Sequence, residues 1–95
     1  KSSLTKFLLK ANKPALMLKY PISELGLFGS YASGENTKNS DIDILVDFNQ
    51  NIDGFVYIKL AHEFEDLFNH KIDLVSRKGI KPKYLPFVEK NLIHV

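Results

Sequence analysis

Gly29-Ser30-Tyr31-Ala32-Ser33-Gly34-Glu35-Asn36-Thr37-Lys38-Asn39-Ser40-Asp41-Ile42-Asp43 sets a glycine–serine turn shortly before two carboxylates spaced for one strand face. Such a turn offers backbone N–H groups and a hydroxyl to an anion, and strand alternation sends Asp41 and Asp43 to the same side. Two carboxylates about 5 Å apart repel by roughly 1 kcal/mol in water, and by about 3 kcal/mol at an effective dielectric near 20. A divalent cation with a preference for oxygen relieves that repulsion. Phosphate chemistry assisted by metal ions is the expectation.

The flanks extend the pattern. Glu24 to Phe28 is short, apolar and stopped by Gly29, which predicts a first strand running into the turn, with Tyr31 to Ser33 as a short helical turn behind it. Ile42, Ile44 and Val46 alternate with Asp43, Leu45 and Asp47, as in a second strand with one buried face and one face bearing carboxylates. Gly54 precedes Phe55, Ile58, Leu60, Ala61, Phe64, Leu67 and Phe68, an amphipathic helix of about four turns with Glu63, Glu65 and Asp66 outside. Phe55, Phe64, Leu67 and Phe68 are read as core.

Ile72-Asp73-Leu74-Val75 is a third strand, Tyr84 to Lys90 a candidate helix and Leu92 to Val95 a last extended piece. Ahead of them all, Leu4, Phe7, Leu8 and Ala11 and then Ala15 to Tyr20 are apolar at helical spacing, interrupted by Pro14. A proline suits a first turn but removes a hydrogen bond from an interior, so the reading is a broken helix, or two abutting helices, with Asn12 or Lys13 capping the second. Pro21 ends it.

Composition bounds the rest. Ninety-five residues, 44% apolar and 25% charged, describe one folded domain over 1–95 with a modest core and no room for a separate acceptor-binding domain. A net charge of +2 lacks the bias of a dedicated nucleic-acid binder, so no direct nucleic-acid partner is expected. Cysteine is absent, which excludes a disulfide framework and a thiolate zinc site, and no signal-like or spanning apolar run is present. The expectation is a cytoplasmic protein with no membrane partner.

Asp73 is the third acid of interest. It lies within an apolar strand, where a carboxylate turned to the core costs several kcal/mol unless it is paired or metal-bound. Placement beside Asp41 and Asp43 would supply the oxygen ligands that two Mg2+ ions need to clamp a nucleoside triphosphate. A calcium loop is a poorer account of Asp41-x-Asp43, because the apolar run Ile44 to Val46 follows where further oxygen ligands and a closing glutamate are required. His62, His70 and His94 lack ligand spacing and are assigned no role, Glu35 and Asp47 are read as solvated, and Arg77, Lys78, Lys81 and Lys83 are read either as a solvated basic turn or as contacts to phosphates or an acidic partner.

Gly29-Ser30, Gly34, Ser40, Asp41-x-Asp43 and the later Asp73 resemble the nucleotidyltransferase fold of the DNA polymerase β superfamily, over almost the entire chain. In length and in the runs Leu27 to Ala32 and Asp41 to Val46 it is similar to the minimal nucleotidyltransferases, antitoxin halves of HEPN/MNT toxin–antitoxin pairs. The resemblance implies an α/β (α+β) fold, a small mixed β-sheet with helices packed on it. It implies nucleotide binding by Gly29, Ser30 and Ser40, and two Mg2+ ions on Asp41, Asp43 and Asp73 as catalytic residues. It also implies transfer of AMP from ATP to a hydroxyl, a tyrosine's, on a partner HEPN toxin. Many relatives carry arginine where this chain has Ser33, so a cationic contact to phosphate is either missing or supplied by Lys38 or a partner residue. The competing expectation is a non-catalytic antitoxin that neutralises its partner by occlusion.

Overall fold

The computed structural model describes residues 2–95; residue 1 of the expected 1–95 domain lies outside them. The order is α1 (Ser2–Lys19), β1 (Ile22–Phe28), α2 (Gly29–Ser33), β2 (Ile42–Phe48), α3 (Gly54–Phe68), β3 (Ile72–Ser76), α4 (Leu85–Glu89) and β4 (Ile93–His94), with 3-10 turns at Arg77–Gly79 and Pro82–Tyr84. One mixed four-stranded sheet runs β3-β2-β1-β4. The β1–β2 and β1–β4 pairs are antiparallel, while β2 and β3 are parallel and α3 makes the crossover between them. This is the expected α/β architecture.

Alternation along β1 and β2 sorts the two faces. Leu25, Leu27, Ile42, Ile44 and Val46 turn to α1 and α3, where Leu9, Leu16, Tyr20, Leu60 and Phe64 complete the main core. Each of these large side chains removed from water contributes about 1.5–3 kcal/mol before conformational entropy is counted. The opposite face was expected to carry carboxylates alone, yet it holds a second apolar cluster of Phe28, Leu45 and Val88, with Val75, Ile80 and Leu92 packed against it. The reason is α4, which covers one half of that face and leaves the other half for Asp43.

Two further expectations are corrected. α1 is continuous through Pro14, with neither a break nor a second cap. Pro14 and Lys10 both lie on the exposed side of α1, where the backbone hydrogen bond that Pro14 cannot make is lost without breaking the helix, and Asn12 Nδ2 donates back to the Leu8 carbonyl at 2.8 Å instead of capping. Phe55 is 85% exposed and not core. It lies in the first turn of α3, ahead of the stretch that crosses the sheet, whereas Phe64 is fully buried. The α3 cap is Asp53, whose Oδ1 accepts from Val56 N at 3.0 Å, and Asn69 closes the helix in the left-handed region at φ +48.

The C-terminal pieces are held to the sheet by charge. Arg77 grips Glu24 of β1 through Nε and Nη2 at 2.6 and 2.8 Å and reaches Glu89 of α4 through Nη1 at 3.0 Å. His94 Nε2 lies 2.6 Å from the same Glu24. The Arg77 guanidinium holds the Glu24 carboxyl down at about 2, with His94 adding to the effect against a smaller opposing contribution from burial. Arg77, read as part of a free basic turn, is therefore a structural tie.

Candidate active site

The turn at Gly29 is built by the end of β1. Phe28 is extended, Gly29 takes φ +69, and the chain enters the single turn α2, which closes at Gly34 with φ +83. Gly29 is required twice over. Its backbone lies in the left-handed region, and a Cβ built on it would lie 2.0 Å from Asp43 Oδ2, far inside contact distance. Gly29 and the Asp43 carboxylate are thus packed against each other, as expected for partners in the β1–β2 ladder, where Phe28 is opposite Asp43.

Asp43 is also the register partner of Asp73 across the parallel β2–β3 ladder. Its carboxyl is pushed up to about 6, first by burial, then by the charge of Asp73, by a hydrogen bond shared with Asp73, and by the charge of Asp41. Burial falls on Asp43 rather than on Asp73, which is exposed on the sheet's edge strand. Asp73 thus avoids the cost of a carboxylate turned to the core by standing beside Asp43 on the edge strand. Asp41 stands just before β2, half-buried, with Lys71 Nζ 3.9 Å from its Oδ2.

Two carboxylates, Asp73 and Asp41, thus bear on Asp43, although among the described residues no three acidic or histidine side chains stand together as a finished cation cage. The donor set still suits Mg2+: all are carboxylate oxygens, and burial together with the charge of its neighbours makes the ionised form of half-buried Asp43 costly until a cation offsets it.

Ser30 and Gly29 line a groove of about 300 Å³ with Ser33, Glu35, Phe87, Lys90 and Asn91. Asp73 lines an adjoining apolar hollow of about 370 Å³ with Phe28, Val75, Ile80, Tyr84 and Phe87 among others. Phe87 is common to both. Ser33 Oγ donates to the Ser30 carbonyl at 3.2 Å and to Glu35 Oε1 at 3.1 Å. The Ser40 hydroxyl accepts from Thr37 N at 2.9 Å, closing the loop before Asp41.

Two residues absent from the sequence-based site support it. His70 Nε2 lies 2.6 Å from the Ser40 carbonyl and 3.4 Å from the Tyr31 hydroxyl, tying α2 to the loop that delivers Asp41. Tyr57 donates its hydroxyl to the Leu74 carbonyl, next to Asp73, and burial with the Asp73 charge raises its pKa. Neither has a local sequence signal, since each acts across the fold.

A sheet end bearing these carboxylates over a glycine–serine turn defines a nucleotidyltransferase domain. The family model described as "Nucleotidyltransferase domain" matches residues 10–94, and the chain belongs to that family. It is 40% identical over 91 residues to a Methanocaldococcus jannaschii protein assigned as a protein adenylyltransferase, covering 95% of this chain and 93% of the relative. Among solved structures, one described as a minimal nucleotidyltransferase superposes with a TM-score of 0.84 at 25% identity, over 100% of this chain and 96% of that one. A toxin–antitoxin structure with AMP-PNP gives a TM-score of 0.70 at 26% identity, over 99% of this chain and 71% of its counterpart.

Proposed function

We propose that this chain transfers AMP from ATP to a hydroxyl, a tyrosine's, on a partner toxin of the HEPN family, and so acts as its antitoxin in the cytoplasm. The hydroxyl oxygen forms a bond to the α-phosphorus, the bond from that phosphorus to the β-bridging oxygen breaks, and pyrophosphate leaves. Asp41, Asp43 and Asp73 would hold two Mg2+ ions. Bound Mg2+ supplies charge neutralisation on the triphosphate and a lower pKa for the attacking hydroxyl.

The observation that carries this reading is the Asp43 carboxyl, pushed up to about 6 at the foot of the Gly29 turn. A buried acid raised by two other carboxylates is costly for folding alone and is suited to a site that receives cations with its substrate. Gly29, Ser30 and Lys90 line one groove, so that turn N–H groups and an ammonium would be available there to a triphosphate tail. Ser40 keeps the Asp41 loop in place and joins the nucleotide-binding set through that loop. Asp73, exposed on the edge strand, is the acid that an acceptor carried by another protein can approach, and it would orient the incoming hydroxyl.

The relatives support the acceptor class, since a relative described as a protein adenylyltransferase matches 95% of this chain. The test is incubation with α-labelled ATP, Mg2+ and the HEPN-family protein encoded beside this chain. Label on that protein, lost with Asp41→Asn or Asp43→Asn, is expected. An unlabelled partner, with cells still protected by an Asp41→Asn plus Asp43→Asn double variant, would transfer the case to occlusion.

A further inference from the structure

The outward side of α1 is apolar where a solvent-facing helix side is ordinarily polar. Leu4, Phe7, Ala11, Pro14 and Leu18 are all exposed, Phe7 to 64% and Leu18 to 90%. They recur at intervals of three, four, three and four residues, which aligns them in one stripe roughly 80° wide. Leu9, Leu16 and Tyr20 enter the core from the other side of the helix. The stripe is therefore unused by the chain's own packing.

Its spacing says what shape covers it. Alternating intervals of three and four are those of an a/d row, the narrow seam that one facing helix fills with interdigitating side chains. A helix lying in a lipid interface needs a broader apolar face.

Charge says what chemistry the facing helix carries. α1 contains four lysines and no acidic residue between Ser2 and Lys19. Lys19 is paired with Glu63 at 2.7 Å, and Lys13 Nζ donates to the Val95 carbonyl oxygen. Lys10 borders the stripe and Lys6 lies one turn before it on the same flank, with no carboxylate within ion-pair distance of either among the described residues. Like charges at that spacing repel, and α1 of a second copy would bring more lysines.

We infer that the outer stripe of α1 docks one helix of the partner protein, a helix with an apolar row bordered by Glu or Asp side chains that meet Lys6 and Lys10. This rests on the reading that the chain acts on a HEPN-family partner, and it adds where that partner is held. The carboxylate site and the stripe are separate parts of the chain, so binding and transfer can be disabled independently.

The experiment measures complex formation with the HEPN-family protein by titration calorimetry, alongside AMP transfer. Phe7→Glu plus Leu18→Glu is expected to weaken the complex by about 10- to 100-fold, the scale of losing apolar anchors, with an unchanged circular-dichroism melt. Lys6→Glu plus Lys10→Glu should weaken it several-fold at low salt and less at high salt. Asp41→Asn should abolish transfer and retain the complex. An unweakened complex with Phe7→Glu plus Leu18→Glu overturns the inference while transfer by the unaltered chain keeps the proposed function standing. Neither complex nor transfer with the unaltered chain overturns both. Stripe-dependent co-sedimentation with vesicles of 30% phosphatidylglycerol, with the protein complex unaffected, would replace the helix by a membrane.

Discussion

Asp43 and Asp73 stand opposite each other in the parallel ladder of β2 and β3, in register and on one face of the sheet. Directly opposed like charges destabilise a strand pair. The arrangement also raises the proton affinity of the half-buried acid, since the Asp43 carboxyl lies at about 6 against an ordinary 3.8 and is ionised at pH 7 only at a cost. A folded-state pKa above the unfolded one gives stability that is complete below about 3.8 and is lost as pH rises through about 6.

Asp43→Asn should therefore stabilise the metal-free protein at pH 7, by about 1–2 kcal/mol, while abolishing AMP transfer. The two proteins should converge in melting temperature near pH 4, where the native acid is protonated. Thermal melts between pH 4 and 7 in EDTA test this; a variant less stable than its parent at pH 7 would mean that Asp43 contributes more by hydrogen bonding than it costs by charge.

Gly29→Ala introduces a methyl group where a Cβ would come within 2.0 Å of Asp43 Oδ2, on a backbone at φ +69. The left-handed conformation alone costs about 1–2 kcal/mol for an L-residue, and the carboxylate must also move. A loss of roughly 2 kcal/mol or more in urea unfolding is expected, with transfer reduced at least about 100-fold because Asp43 is displaced. Gly34→Ala serves as the control. It shares the strained φ of +83 but has open space around its Cβ, so it should lose stability and keep most activity.

The strands, the main core and the Gly29 turn were legible because they are local: alternation, helical spacing and a stop residue all appear in one short window. What escaped was set by neighbours distant in sequence. Phe55 and Phe64 have the same chemistry, and only the path of α3 over the sheet decides which is covered. Pro14 reads as a break, yet its place on the exposed side of α1 lets the helix run through it. The apolar run of β3 left open how Asp73 escapes the cost of burial, which its edge position decides. His70 supports the Asp41 loop through Ser40 and Tyr31, thirty and thirty-nine residues away, so no spacing rule could flag it.

The Glu24–Arg77 pair supplies the acid sensitivity of the fold. Glu24 is held at about 2, below its usual 4.5, so its contribution is complete above about 4.5 and is lost as pH falls toward 2. Glu24→Gln should flatten the fall in melting temperature over that window and lower it at pH 7, since Arg77 loses its bidentate partner and β4 loses the His94 contact. An unchanged acid limb in the variant would assign the sensitivity elsewhere.

Lys90 and Glu35 line the same groove as Gly29 and Ser30 but carry opposite charges. If the groove receives a triphosphate, the two residues must act on ATP with opposite sign. Lys90→Ala should raise KM for ATP by about 5- to 20-fold with little change in kcat, as expected for loss of one charge-assisted contact present before and during reaction. Glu35→Gln should lower KM, because it removes a carboxylate from beside the incoming phosphates, and Lys90→Arg should restore most of the affinity. Both side chains are exposed, and the Lys90 backbone bond to the Pro86 carbonyl at 3.0 Å is untouched by the change, so melting temperatures should hold within about a degree or two. Steady-state kinetics at two ionic strengths would check the sign and its screening. Equal shifts in the same direction for Lys90→Ala and Glu35→Gln would show that the triphosphate lies along a different edge of the carboxylate site.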